Sequence, residues 1–234
     1  MQKEEQVKLT EEIIETAYRL LTHKLAFGGL TARNESAFQL EFGHILKTLG
    51  QLYEFRLDDK FHLEFETYIQ LKEKSDKSGT EWARVDVLLK YKSGDVTTTT
   101  ATETATATET IAVTEKTAAI VTTAAIELKF FKKENHREPH NRYDVFRDIA
   151  NLEQYKESGI DICYFILATD HTHYYNQANY SPETADFDFR TGKRYKAATI
   201  LQYKTGNKKD ITLRHDYDFE WEKINEFYFL KLKV

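Results

Sequence analysis

Residues 124–169 constrain the chain most. "AAIELKFF" is an apolar run rich in aliphatic and aromatic residues, "RYDVFRDIANLEQYKESG" reads as a helix that closes at Gly159, and "IDICYFILATD" is a short continuous apolar run. The last has the pattern of a strand covered on both faces. Strand, helix and hydrophobic strand in succession make a βαβ unit, so strands 124–131 and 160–169 are expected to be parallel. The first of them carries Glu127 and Lys129 in its middle. Side chains two apart on a strand share a face, so these two oppose Ile126 and Leu128. The pair is either a solvated ion pair on an edge strand or a pair of catalytic groups on a rigid one.

Upstream, Thr10 can cap a first helix, with Leu9 and Ile14 as a hydrophobic staple. Ile13, Ile14, Ala17, Leu20, Leu21 and Leu25 recur at helical spacing until Gly28-Gly29. Asn34 caps a second helix that runs to Gly50 with an apolar stripe of Phe38, Phe42, Ile45, Leu46 and Leu49. At 100° per residue Glu35 falls roughly 40° from the centre of that stripe, while Gln39 and Glu41 fall about 80° to either side. Two strand-like runs follow, "HLEFETYIQLK" and "ARVDVLLKY", and Asp86 interrupts the second where β-propensity disfavours it. The Thr- and Ala-rich stretch 96–123 has little to bury, and reads as a hairpin arm or loop over about 95–110 with a strand resuming at Ile111. After Pro182, alternating segments read as strands or a meander of the same domain.

The 234 residues suit one sizeable domain. A net charge of −5 excludes a global basic field, so a polyanion has to meet a local patch. Cys163 lies in an apolar run and reads as a buried small hydrophobe of a reducing compartment. No stretch approaches 18 uncharged apolar residues and no signal-peptide core precedes the first helix, so a soluble cytoplasmic protein without a membrane partner is expected.

Glu35, Asp86, Glu127 and Lys129 together make a chemical pattern. Two carboxylates on adjacent strands suit Mg²⁺, which takes one or two of them beside water and phosphate oxygens. A lysine on the same face can act on the attacking water. Asp86, followed 41 residues later by Glu127-Leu128-Lys129 in an apolar strand, resembles the PD-(D/E)xK nuclease superfamily. "NESAFQLEFGHIL" is similar to its first core helix, "HLEFETYIQLK…ARVDVLLKY" to the hairpin leading to its aspartate, and "RYDVFRDIANLEQYKESGIDICYFILATD" to its following helix and strand. The resemblance covers about residues 31–170. The residue before Asp86 is Val85 and not proline, and the Thr-rich insertion lengthens the gap to Glu127.

The resemblance implies an α/β, restriction-endonuclease-like core, with a central mixed sheet flanked by helices and a β-rich C-terminal part from 182. It implies a Mg²⁺-dependent (or Mn²⁺-dependent) endonuclease acting on DNA, with 5′-phosphate products, a homodimeric state and a role in restriction or antiphage defence. Asp86 and Glu127 would hold the metal with the Leu128 carbonyl, Lys129 would position water, and Glu35 would be an auxiliary ligand with Glu41 as fallback. The alternatives are a silent nuclease-fold binding module, or an oligomer built through the Thr-rich arm.

Piece by piece, blander readings exist. Glu35 is a favourable first-turn acid, Asp86 can pair with Arg84, and Glu127–Lys129 can be a surface pair of little energetic worth. Lys129, Lys132, Lys133, His136 and Arg137, with Arg142 and Arg147, form either a phosphate-binding strip or a solvated loop. His171-x-His173 has metal-ligand spacing but no evident third ligand.

Overall fold

The computed structural model describes residues 2–75, 79–94, 97–101, 112–116, 119–135, 137–176, 181–204 and 208–234. Helices α1 (Lys3–Ala26) and α2 (Glu35–Gln51) precede strands β1 (Lys60–Gln70) and β2 (Trp82–Ser93). A two-stranded hairpin of β3 (Thr97–Ala101) and β4 (Ala112–Lys116) leads to β5 (Ile120–Phe131), α3 (His140–Glu157) and β6 (Ile162–Thr169). A short helix α4 (Thr172–Asn176) follows. The last strands are β7 (Lys193–Tyr195), β8 (Ile200–Leu201), β9 (Ile211–Thr212), β10 (Tyr217–Phe219), β11 (Trp221–Ile224) and β12 (Phe227–Lys233).

The central sheet is mixed and six-stranded, in the order β1-β2-β5-β6-β12-β11. Strands β5 and β6 pair in parallel, as a βαβ unit requires, and the other neighbours are antiparallel. The fold is therefore α/β with flanking helices and a β-rich C-terminus, whose last two strands extend the same sheet. Its β5 is interior, so the edge-strand account of Glu127 and Lys129 fails.

Helices α1 and α2 cover one face, where Ile14, Leu21, Phe38 and Phe42 pack on Val87, Leu89, Ile126 and Leu128. On the other face Phe146, Ile149 and Tyr155 of α3 pack on Val85, Leu88, Ala125 and Phe165. The outer side of α3 is covered too: Phe146 meets the rings of Phe187, Tyr195 and Phe219.

Several boundaries differ from the sequence reading. The first helix begins at Lys3, because Gln2 and Glu5 form a capping box. Thr10 is therefore not a cap; it is buried in the helix and its hydroxyl donates to the Gln6 carbonyl at 2.8 Å. Asn34 does cap α2, accepting from Ala37 N at 2.8 Å. The strand expected to resume at Ile111 is divided: β4 belongs to the hairpin arm, and the sheet strand begins at Ile120. The loop expected over 95–110 lies largely outside the described residues, which show the hairpin strand Thr97–Ala101 at its start. Cys163 is buried, as expected, and burial pushes its thiol up to about 12. No helix among the described residues is long and apolar enough to cross a membrane.

Candidate active site

The site forms where two strands part. Strand β2 pairs with β5 from Ser93–Ile120 to Val87–Ile126, and no further. One step beyond, the Leu128 N–H is met by a side chain, donating to Asp86 Oδ2 at 2.7 Å. On its other edge β2 keeps a single register with β1, but the ladder skips the position of Glu66 and Asp86, and Glu66 has a φ of 50°. Residues two apart on a strand normally share a face. Here Val87 packs with α1 and α2 while Val85 packs with α3. The break thus swaps the faces of β2 and turns the Asp86 carboxylate towards β5. Gln39 of α2 pins it by donating to the Asp86 carbonyl at 2.6 Å. Arg84 is engaged elsewhere, 3.0 Å from Glu66 Oε2, which removes the simple surface pairing with Asp86.

Lys129 projects into the opening and is met from both layers. Its Nζ lies 3.3 Å from Glu35 Oε1 at the start of α2, 3.0 Å from Asp148 Oδ2 of α3 and 3.1 Å from the Leu128 carbonyl. Among the described residues Glu41 makes no such contact; Glu35 is the helix acid that reaches the site. Glu127 is buried at 1% exposure. The Tyr155 hydroxyl lies 3.1 Å from Glu127 Oε1 and 3.0 Å from the Arg84 carbonyl, and shares its one proton between them.

Burial alone would push the Lys129 ammonium down. Asp148, Glu35, Asp86 and Glu127 together outweigh it and hold the pKa well above the usual lysine value. Burial raises the carboxyls of Glu35 and Asp86, against the opposing pull of Lys129 on each.

Among the described residues no three His, Cys, Asp or Glu side chains already converge as a cation's ligand shell. Asp86 Oδ2 is engaged by Leu128 N–H, Glu127 Oε1 by Tyr155, and the Lys129 ammonium stands among the acids. The donor chemistry nevertheless fits Mg²⁺: the carboxylates are hard oxygen ligands, the Leu128 carbonyl adds another, and four acids act on the Lys129 ammonium, with Arg147 Nε 3.7 Å from one of them, Asp148. A divalent cation would offset that surplus.

Asp148, Tyr155 and Gln39 were not legible as site residues. A usable signal existed for the first two. Asp148, Asn151 and Tyr155 are polar positions at i, i+3 and i+7 on a crossover helix, whose sheet-facing stripe is ordinarily apolar.

The basic strip is only partly a surface. Arg142 is fully buried, ion-paired with Glu138 and 2.9 Å from His173 Nε2, so it faces no phosphate. Arg147 is held by Asp144 at 3.0 Å, Lys132 by Glu134 at 2.5 Å, and His136 lies outside the described residues. In the His-x-His pair, His173 Nε2 is taken by Glu138 at 2.5 Å. Comparison with protein-family models, with curated proteins and with solved structures finds no match for this chain.

Proposed function

We propose that this chain is a metal-dependent nuclease of the PD-(D/E)xK, restriction-endonuclease-like type, hydrolysing phosphodiester bonds of DNA. The observation that carries this reading is that Glu35, Asp86 and Glu127 all act on the Lys129 ammonium where two central strands part. Charge surplus, rigid strands and hard donors in one opening suit phosphoryl chemistry and have no need in a purely structural sheet.

Asp86 and Glu127 would hold Mg²⁺, with the Leu128 carbonyl and Glu35 as further donors. The bound cation would neutralise charge on the phosphate and acidify a water. Lys129 is charged at neutral pH. It therefore acts as a donor that orients water and steadies the phosphate, and not as the base. Asp148 keeps it charged and aimed. Leu128 N–H fixes one Asp86 oxygen and Tyr155 fixes one from Glu127, so both carboxylates are oriented before substrate arrives. A homodimer cutting both strands, with 5′-phosphate products and a defence role, belongs to the same proposal.

The test is cleavage of supercoiled plasmid with Mg²⁺ by the wild type, Asp86→Ala and Lys129→Ala. Cutting by the wild type alone is expected. A wild type that cuts neither DNA nor RNA with Mg²⁺ or Mn²⁺ overturns the reading.

A further inference from the structure

Asn151 is fully buried, and neither its side-chain oxygen nor its nitrogen has a hydrogen-bond partner among the described residues. Folded proteins leave few polar groups in that state, and a buried amide without partners opposes folding. Two contacts fix its surroundings. Asp148, three residues earlier on α3, meets Lys129 Nζ at 3.0 Å. Tyr155, four residues later, meets Glu127 Oε1 at 3.1 Å. These three helix positions share a face, and Glu127 and Lys129 share a face of β5. Asn151 is thus bracketed on the helix by the two residues that reach the acidic site, and its amide has no hydrogen-bond partner among the described residues.

A neutral amide supplies two donors and an acceptor without adding charge. A fifth carboxylate at that position would worsen an existing surplus. Mg²⁺ keeps several of its waters when bound by proteins, and each such water needs oriented partners. A water between an amide and carboxylates finds the two to four polar partners that a buried water needs.

We propose that Asn151 binds a water of the hydration shell of a divalent cation held by Asp86 and Glu127, and thereby sets that cation's affinity. Asn151 is a positioning residue in this account: its amide oxygen accepts from the water. The inference rests on the cation site of the proposed nuclease, but it does not require cleavage.

The experiment uses the full chain with MgCl₂ alone, by titration calorimetry and by thermal melting in EDTA. Wild type is compared with Asn151→Leu, which keeps the branched shape, and with Asn151→Ala, which leaves room for a substitute water. Loss of such an outer partner weakens metal binding about 10-fold or more, and that loss is expected for Asn151→Leu. A smaller loss is expected for Asn151→Ala. In EDTA, Asn151→Leu is expected to melt no lower than the wild type, because an unmet polar group has gone. Unchanged Mg²⁺ affinity in both variants overturns the inference, as does a wild type that takes up no Mg²⁺. If the variants lose affinity while the wild type cuts no nucleic acid, this inference stands and the nuclease reading falls. If the wild type cuts and affinity is unchanged, the reverse holds.

Discussion

The Lys129 ammonium lies 3.0 Å from Asp148 Oδ2, and the Asp148 side chain is 1% exposed. Glu35, Asp86 and Glu127 act on the same ammonium, so the two members of the pair are not equivalent. Removing Lys129 leaves Glu35, Asp86 and Glu127 without it and Asp148 with the 3.7 Å contact of Arg147 Nε, and loss of the partner of a buried charge typically costs about 3–5 kcal/mol. Removing one acid leaves the cation with others. Lys129→Ala is therefore expected to lose about 3 kcal/mol or more in EDTA, and Asp148→Asn about 1 kcal/mol. Urea melts of both variants check this; equal losses would sink the idea of an anion surplus.

The raised carboxyls of Glu35 and Asp86 carry a pH signature. A carboxyl whose folded pKa exceeds its unfolded value binds its proton more tightly when folded, so it opposes folding at high pH. That penalty fades as pH falls through the raised values towards 4.5 for Glu35 and 3.8 for Asp86. Lys129 titrates far above this window, so its contribution is constant within it. The metal-free protein is expected to gain more stability between pH 7.5 and 5 than the Glu35→Gln, Asp86→Asn double variant does. Saturating Mg²⁺ should reduce the difference, because cation and proton compete for the same oxygens. The measurement is Tm against pH for both proteins, and parallel curves in EDTA would rule the assignment out.

The sequence made the βαβ unit and the site's strand residues legible because both signals are local. An aspartate in a strand and a Glu-x-Lys in an apolar run each break a local rule, and such breaks mark sites. Arg142 was misplaced because charged residues are rarely fully buried, and its partners Glu138 and His173 are brought to it by the turn into α3 and by the short helix α4. Asp148 was missed for a related reason. Helix α3 is sandwiched between the sheet and the C-terminal strands, so it lacks the solvent face against which a buried polar stripe would stand out. The face swap at Asp86 was invisible because Val85 and Val87 look alike and only the ladder's break separates them.

Two glycines of α2 touch β1 in different ways and predict opposite outcomes. A Cβ on Gly50 would stand 2.2 Å from Cγ and Cδ1 of Phe61, which is 1% exposed. A Cβ on Gly43 would meet the outer ring atoms of Phe65, which is 41% exposed and can swing away. Alanine gains about 1 kcal/mol over glycine in a helix, and overpacking a core costs about 1–3 kcal/mol. Gly43→Ala is expected to be neutral or stabilising and Gly50→Ala to lose up to about 2 kcal/mol. Chemical melts of the two variants decide it; a destabilised Gly43→Ala with an unaffected Gly50→Ala would contradict the packing of α2 on β1.

On the proposed nuclease function, Lys208 is expected to meet the DNA backbone. Its Nζ lies 3.1 Å from His140 Nδ1 and 4.3 Å above the Tyr143 ring, on the N-terminal half of the helix that carries Asp148. Burial lowers its pKa, and Arg147 and Arg137 lower it further against the opposing pull of Asp144. From His140 to Asp148 the helix rises about 12 Å, the axial span of roughly three or four nucleotides of one strand at 3.4 Å each. Lys208→Ala is therefore expected to weaken DNA binding regardless of sequence and to reduce the salt slope by about one ion. Arg142→Lys, at the buried position, should leave the slope unchanged wherever the variant folds. Fluorescence anisotropy of a labelled duplex in EDTA, at several salt concentrations, reads both. An unaltered slope for Lys208→Ala would place the backbone contact on another face of the protein.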